Sequence, residues 1–365
     1  MLNTGSIEMA AGNIVVAGEP GEGAAGAAAP IDNFQIFQGR FGMAPPLTST
    51  HAHDRESGKV VLIIPIPTAT QPQTLRILQF LEQQRGETVN CVSLLESWSD
   101  GITDFCIMRH MKTSLEFDFI YRQGVYETYE AFRCCGGWFN GLSHLHSHGI
   151  TYNNVSQRTL LLDENRKGFL GDFGIATLDP SRNENFYEPH ILNVKHTDVK
   201  YRSPEMSAYR DNLKVSHSTD VWSMGMVLAE MLTATRVISI DEDDPVDKKE
   251  METWAQLFAK FGSPTYYNWP ASAGITLTFQ PDILAAFARV DERDKRSPSH
   301  WLSDPGRNVP IGNHQYLALL DRLLKFDPTL RMTSRLAKGW RRGRRRRRRR
   351  SSRRRRSGRR MRRRR

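Results

Sequence analysis

No stretch of the chain stays apolar for long: the longest apolar run, Val60 to Ile66, falls far short of the ~20 residues that a membrane-spanning helix needs. No membrane span is expected. Cysteine is scarce too. The four present, Cys91, Cys106, Cys134 and Cys135, share neither a metal-ligand spacing nor a disulfide framework, and each reads as a buried thiol in a reducing compartment. The opening residues, MLNTGSIEMAAGNIVVAG, lack the basic start and sustained apolar stretch of a signal peptide, and Leu2 excludes the myristoylation pattern. The expected location is therefore cytoplasmic, nuclear or both, with no membrane partner. Lysine is missing from Val60 through Met111, and acid is missing from residues 341–365, which hold 19 Arg. Because the formal net charge is +11, the first 340 residues carry −8, so the basic character belongs to the tail alone.

What is present is enough for a large core: 365 residues, of which 39% are hydrophobic. Residues 1–30, rich in Gly and Ala, have little to bury and read as a disordered leader. From 31 to about 108 the pattern is β-rich: a Gly-containing turn, the β-branched run VVLIIPI, and a single helix in which Leu75, Leu78 and Leu81 recur at helical spacing. From about 112 to 340 it becomes helical. Phe132, Cys135, Phe139, Leu142 and Leu145 form one apolar stripe, and Val221 to Leu232 is apolar on most faces, which places it inside a core. Residues 341–365 are a like-charge run that repels itself and is expected to be extended.

Five motifs then follow in order. They are GLSHLHSHGI from Gly141 with LLLD and D-F-G at Asp172, Phe173 and Gly174; YRSPE ending at Glu205; DVWSMG beginning at Asp220; FGSPTYYNWP; and DPTLR ending at Arg331. Together, over about Asn33 to Trp340, they resemble eukaryotic protein kinases of the cyclin-dependent and MAP-kinase-like branch, a likeness that D-F-G alone would not carry. The resemblance implies an α+β, two-lobed protein-kinase-like fold with a small β-rich N-lobe and a larger helical C-lobe. It also implies that Glu205 and Arg331 form a buried ion pair, and that Asp220 accepts backbone hydrogen bonds from the catalytic loop.

Set against the parts that phosphoryl transfer requires, this chain departs from the family repeatedly. TYNNVSQRTLLL aligns without a gap to the catalytic loop, which puts Asn154 at the base, Asn153 at the Arg, Ser156 at the Lys and Thr159 at the metal-binding Asn. An amide cannot take a proton as a carboxylate does, and Arg158 and Tyr152 are the only ionisable residues between Gly149 and Leu162. Ile64 stands at the phosphate-binding Lys and Ile77 at its partner Glu. Lys59 falls on the opposite face of a period-two strand, and Glu82 lies about 140° around the helix from Ile77. Losing both members of a buried ion pair to packed apolar groups is often neutral, so Ile64 and Ile77 are expected to fill the former site together; otherwise they are two ordinary core residues.

The Gly-rich turn keeps Gly39 and Gly42 around Phe41, but Phe37 holds the first Gly position, and Pro45 and Pro46 remove ladder donors from the strand that follows. Arg40 is either the remaining cation for a phosphate or a solvated loop residue. Asp172 is a possible metal ligand or serves loop geometry alone, and backbone near Met108 to His110 could meet a purine. Asn193 stands where the branch carries its activating phospho-Thr, and Asp198 where a Thr meets the substrate.

No required cofactor is expected, with ATP and magnesium bound weakly or not at all. Three functions stay open: a pseudokinase scaffold or allosteric regulator contacting a cyclin-like regulator or an active kinase through its first helix or Ala271 to His314; an active Ser/Thr kinase with displaced groups; and a nucleic-acid-associated protein acting through residues 341–365. That tail reads equally as a nuclear address or as a low-complexity end.

Overall fold

The computed structural model describes residues 34–36, 50–68, 73–84, 89–124, 126–178, 197–208, 216–261 and 314–340. The expected leader, the Gly-rich turn with Phe37, Gly39, Arg40, Phe41, Gly42, Pro45 and Pro46, Asn193, most of the 271–314 segment and the Arg tail all lie outside these residues.

The N-terminal part is a five-stranded antiparallel sheet of β1 (Phe34–Ile36), β2 (Thr50–Asp54), β3 (Val60–Pro67), β4 (Leu94–Ser99) and β5 (Thr103–Arg109), in the order β1-β2-β3-β5-β4. The run VVLIIPI becomes the central strand because its β-branched residues fill both faces. Val61 and Ile63 join Ala52 and Ile107 in a small cluster on one face, while Leu62 and Ile66 join the main core on the other, with Ile64 packed against it. Helix α1 (Thr74–Gln83) covers that second face and buries Ile77, Leu78 and Leu81.

The C-terminal part is helical, as the change of period requires. Helix α2 (Leu115–Tyr121) is capped by the Ser114 hydroxyl, which accepts from the Phe117 amide, and α3 (Thr128–Ser147) buries the whole predicted stripe. Gly137 lets α3 approach β9 (Gly168–Leu170) backbone to backbone: a Cβ there would run into the Gly168 carbonyl. Helix α5 (His217–Thr233) is buried from Thr219 to Thr233 and forms the axis around which α3 and α7 (His314–Leu323) pack. Shorter elements complete the frame: β6 (Thr113–Ser114) and β8 (Leu160–Leu162), which form a sheet with β9, the β7 (Ile150–Thr151) and β10 (Thr177–Leu178) pair, α4 (Pro204–Ala208), α6 (Val246–Phe261) and a last helix, α8, over residues 334–340. One apolar cluster runs from Leu62 through α1, α3 and α5 to Ala337, so the two parts share a core.

Glu205, at the head of α4, meets Arg331 in a bidentate pair at 2.5 and 2.7 Å. The remaining guanidinium hydrogens go to the carbonyls of Lys325, Phe326 and Ser218 at 2.7 to 3.0 Å, and the charge sits 5.0 Å over the Trp222 ring. Every donor of a side chain with no exposed surface is satisfied, which is the condition under which a buried pair survives its desolvation cost. Replacing Glu205 by Ala leaves that guanidinium uncompensated and is expected to lower unfolding free energy by about 3 to 5 kcal/mol, read as a fall in the urea midpoint.

Candidate functional site

The catalytic-loop equivalent runs from β7 to β8 and is held from below by α5. Asp220, buried in the first turn of that helix, accepts the backbone amide of Asn153 on Oδ1 at 2.7 Å and that of Tyr152 on Oδ2 at 2.8 Å, and Oδ2 also meets His146 Nε2 at 2.8 Å. This anchoring holds Asn153 at a left-handed φ of 61°, a conformation that Asn tolerates better than most side chains. Its amide then donates to the Ile175 carbonyl at 3.1 Å and the Thr177 hydroxyl at 2.9 Å, tying the loop to β10. Where the family has an Arg, a compact neutral group thus stitches loop to strand.

Asn154, half-buried, uses its NH₂ to donate to the Asp172 carbonyl at 3.1 Å. Ser156 and Thr159 face each other, their hydroxyls 3.2 Å apart, and the Thr159 hydroxyl also donates to the Asn154 carbonyl. Both are buried, and both are spent inside the loop. Tyr152 is fully buried and donates to the Gly171 carbonyl while meeting Phe173 edge-on at 5.5 Å; burial drives its phenol far above the usual range, so it stays protonated. No proton acceptor comes from the loop itself.

Asp172 is exposed, with a left-handed φ of 49°, and its carboxylate accepts the Gly174 amide at 3.2 Å. On β3, the face that joins the main core carries Leu62, Ile64 and Ile66. Ile64 and Ile77 line the same apolar cluster, Ile64 half-buried and Ile77 only 1% exposed. Lys59 is exposed in the turn before β3, and Glu82 is half-buried near the end of α1.

Two features of the cleft escaped the sequence reading. Leu62 occupies the Ala position of the family's V-A-I-K motif, and it lies in register between Met108 on β5 and His51 on β2. His51 in turn sits 5.3 Å from the ring of His110. Burial lowers the pKa of both imidazoles, and for His110 the neighbouring His51 adds to this while Glu164 opposes it. Where the resemblance would place a purine, the sheet therefore holds a bulkier aliphatic group and two neutral rings. The VLII string carried the first signal; the second needed the fold.

Below the loop, Asp198 shares a cavity of about 10 Å³ with Asn154, Tyr201 and Arg202, room for roughly one water. It is the one carboxylate lining that cavity. Burial raises its pKa, and Lys200, 3.7 Å away, opposes the rise. Arg202 is locked to Glu250 at 2.7 Å and to Thr197 at 2.6 Å.

With this geometry in place, comparison with known proteins fixes the family: the protein kinase domain matches residues 35–339. The chain belongs to the protein kinase family. Among its relatives, a protein named as a probable serine/threonine-protein kinase of Arabidopsis thaliana is 31% identical over 136 residues, which cover 36% of this chain and 17% of that protein. The serine/threonine-protein kinase SSN3 of Scheffersomyces stipitis is 26% identical over 204 residues, covering 53% of this chain and 43% of its own. The chain thus spans less than half the length of these kinases.

If Ile64 and Ile77 occupy one former ion-pair site, their substitutions must couple. Ile77→Glu alone buries a lone carboxylate and is expected to cost about 3 kcal/mol or more. Adding Ile64→Lys should return at least ~1 kcal/mol in a double-mutant cycle on the urea midpoint, whereas simple additivity would separate the two sites.

Proposed function

We propose that this kinase-family chain is a pseudokinase of the cyclin-dependent or MAP-kinase-like branch that acts as a scaffold or allosteric regulator through protein contacts. The observation that carries this reading is the core-side face of β3, where Leu62, Ile64 and Ile66 present hydrocarbon and no cation. An active kinase holds the transferred phosphate with a Lys from this strand, paired to a helix Glu; here Ile77 mirrors the loss on α1.

Magnesium-bound ATP does not fit the residues present. Among the described residues Asp172 stands without a second ligand, because the Thr159 hydroxyl is turned to the Asn154 carbonyl. Leu62, His51 and His110 crowd the purine end without offering charge. A triphosphate facing about 3 kcal/mol of uncompensated charge binds more than about a hundredfold more weakly. The Asn154 amide cannot accept the substrate proton, and the Tyr152 phenol is already committed as a donor. What persists is the scaffold: the Glu205–Arg331 pair, the Asp220 anchor and the continuous core. A kinase fold kept without its charges suits a protein partner, of the kind of a cyclin-like regulator or an active kinase, that reads shape.

The test is made on the full chain with a Ser/Thr-Pro peptide and radiolabelled ATP. No label transfer is expected, and any change of melting temperature with ATP should be the same with and without magnesium and in Asp172→Ala. A magnesium-dependent stabilisation that Asp172→Ala abolishes, or turnover, would overturn the pseudokinase reading.

One observation favours a second reading, an active kinase with a displaced base. Asp198 brings a carboxylate into the cavity beside Asn154, so a base lost from the loop could be supplied from the segment ahead of Tyr201. On that reading Asp198→Asn abolishes phosphoryl transfer, and Asn154→Asp raises it by about tenfold or more, within the range of a positioned general base. On the pseudokinase reading both variants are as silent as the parent.

A further inference from the structure

A second cavity, of about 1060 Å³, opens in the helical part between the C-terminal half of α3, the start of α5 and residues 328–339. Its volume is at the upper end of small-molecule sites, ~300 to 1,000 Å³. Its chemistry is one-sided. Arg335 and Lys338 of α8 line it together with the imidazoles of His144 and His217, and no Asp or Glu does among the described residues. That bias runs against the composition of a body whose first 340 residues carry −8.

The cations differ in their commitments. Arg331, at the cavity's edge, is consumed by Glu205 and three carbonyls. Arg335 and Lys338 are exposed and have no ion-pair partner among the described residues, so their charge is available to a ligand. Facing them, Ser216, His217 and Ser218 form the start of the 17-residue helix α5. The Ser216 side chain does not cap that helix; it bonds to the Ser218 hydroxyl at 2.6 Å instead. The positive end of the helix is balanced by the buried Asp220 carboxylate in its first turn, so the field in the cavity comes from the two cations of α8. Ser143 and Thr333 add hydroxyls to the lining, while the Ser147 hydroxyl is spent on the His144 carbonyl at 2.7 Å.

We infer that this cavity is a binding site for a small polyphosphate anion, held by the Arg335 and Lys338 side chains that line it. A guanidinium and an ammonium three residues apart on one helix suit a molecule bearing at least two phosphate groups, since each cation can pair with one. The site is separate from the interlobe cleft, and it neither needs nor excludes catalysis there.

The probes are inorganic pyrophosphate and inositol hexakisphosphate, titrated calorimetrically into the full chain at fixed salt. Because the tail also carries positive charge, the site variant Arg335→Ala/Lys338→Ala is compared with a tail variant, Arg353→Ala/Arg354→Ala, that removes the same charge. Both altered α8 side chains are exposed, and a Lys338→Glu variant provides a second change that reverses charge without removing a packed group. The expected result is at least a tenfold loss of affinity in both cavity variants and less than twofold in the tail variant. Equal losses in the cavity and tail variants would assign the binding to general polyanion attraction, and absence of binding at millimolar probe would likewise remove the site. Pyrophosphate binding as tight as that of the inositol compound would mark a diphosphate site; a strong preference for the latter would mark a site for a more highly phosphorylated ring.

Discussion

The buried carboxylate of Asp220 is the constraint on which the loop depends. It receives two successive backbone amides, those of Tyr152 and Asn153, and a ring nitrogen of His146, and it can do so only because α5 is held rigid in the core. Those bonds fix the turn that puts Asn153 at positive φ, and that turn aims Asn154 at the Asp172 carbonyl. Removing the carboxylate would leave two amides unsatisfied in a dry interior, at about 1 to 3 kcal/mol each. None of this requires the loop to do chemistry. The geometry of a catalytic loop and the chemistry of one are separable, and here the first is kept by backbone hydrogen bonds while the side chains that served the second have changed.

The changes are correlated in a way that electrostatics explains. A buried charge without its partner costs more than a pair of packed hydrocarbons, so Ile64 and Ile77 are tolerable together in the cluster where one polar member alone would not be. The same logic applies around the loop. Asn153 is neutral, and its donors are met by Ile175, Thr177 and Thr151 rather than by an anion. Thr159 and Ser156 satisfy each other. By contrast, pairs that hold the helical part together were kept as pairs: Glu205 with Arg331 and Arg202 with Glu250.

The helical part was the easiest to read from sequence, because its signals are local. The stripe on α3 and the all-apolar α5 follow from the 3.6-residue period alone, and the positions of Glu205, Arg331 and Asp220 follow from ordered motifs. The cleft was half legible. Residue identity put Ile64 at the expected Lys position and Asn154 at the expected base position, but the crowding beside them depends on which residues of three different strands come into register: His51, Leu62 and Met108. The proximity of Asp198 to Asn154 and the meeting of α8 with the start of α5 are likewise products of chain folding over long separations, and no spacing rule encodes them.

Asp172 shows how local geometry alone can account for a residue of a functional motif. Its backbone is left-handed, a cost that Asp bears better than most residues because its short side chain can bond locally. Here it does so: the carboxylate accepts the Gly174 amide, its own carbonyl accepts from Asn154, and between them they set the path by which Phe173 turns inward to meet Tyr152. A β-branched or long side chain at this position would lose the local bond and pay the full backbone penalty. The turn accounts for Asp172 and Phe173 without a metal ion, so the motif by itself is evidence of fold.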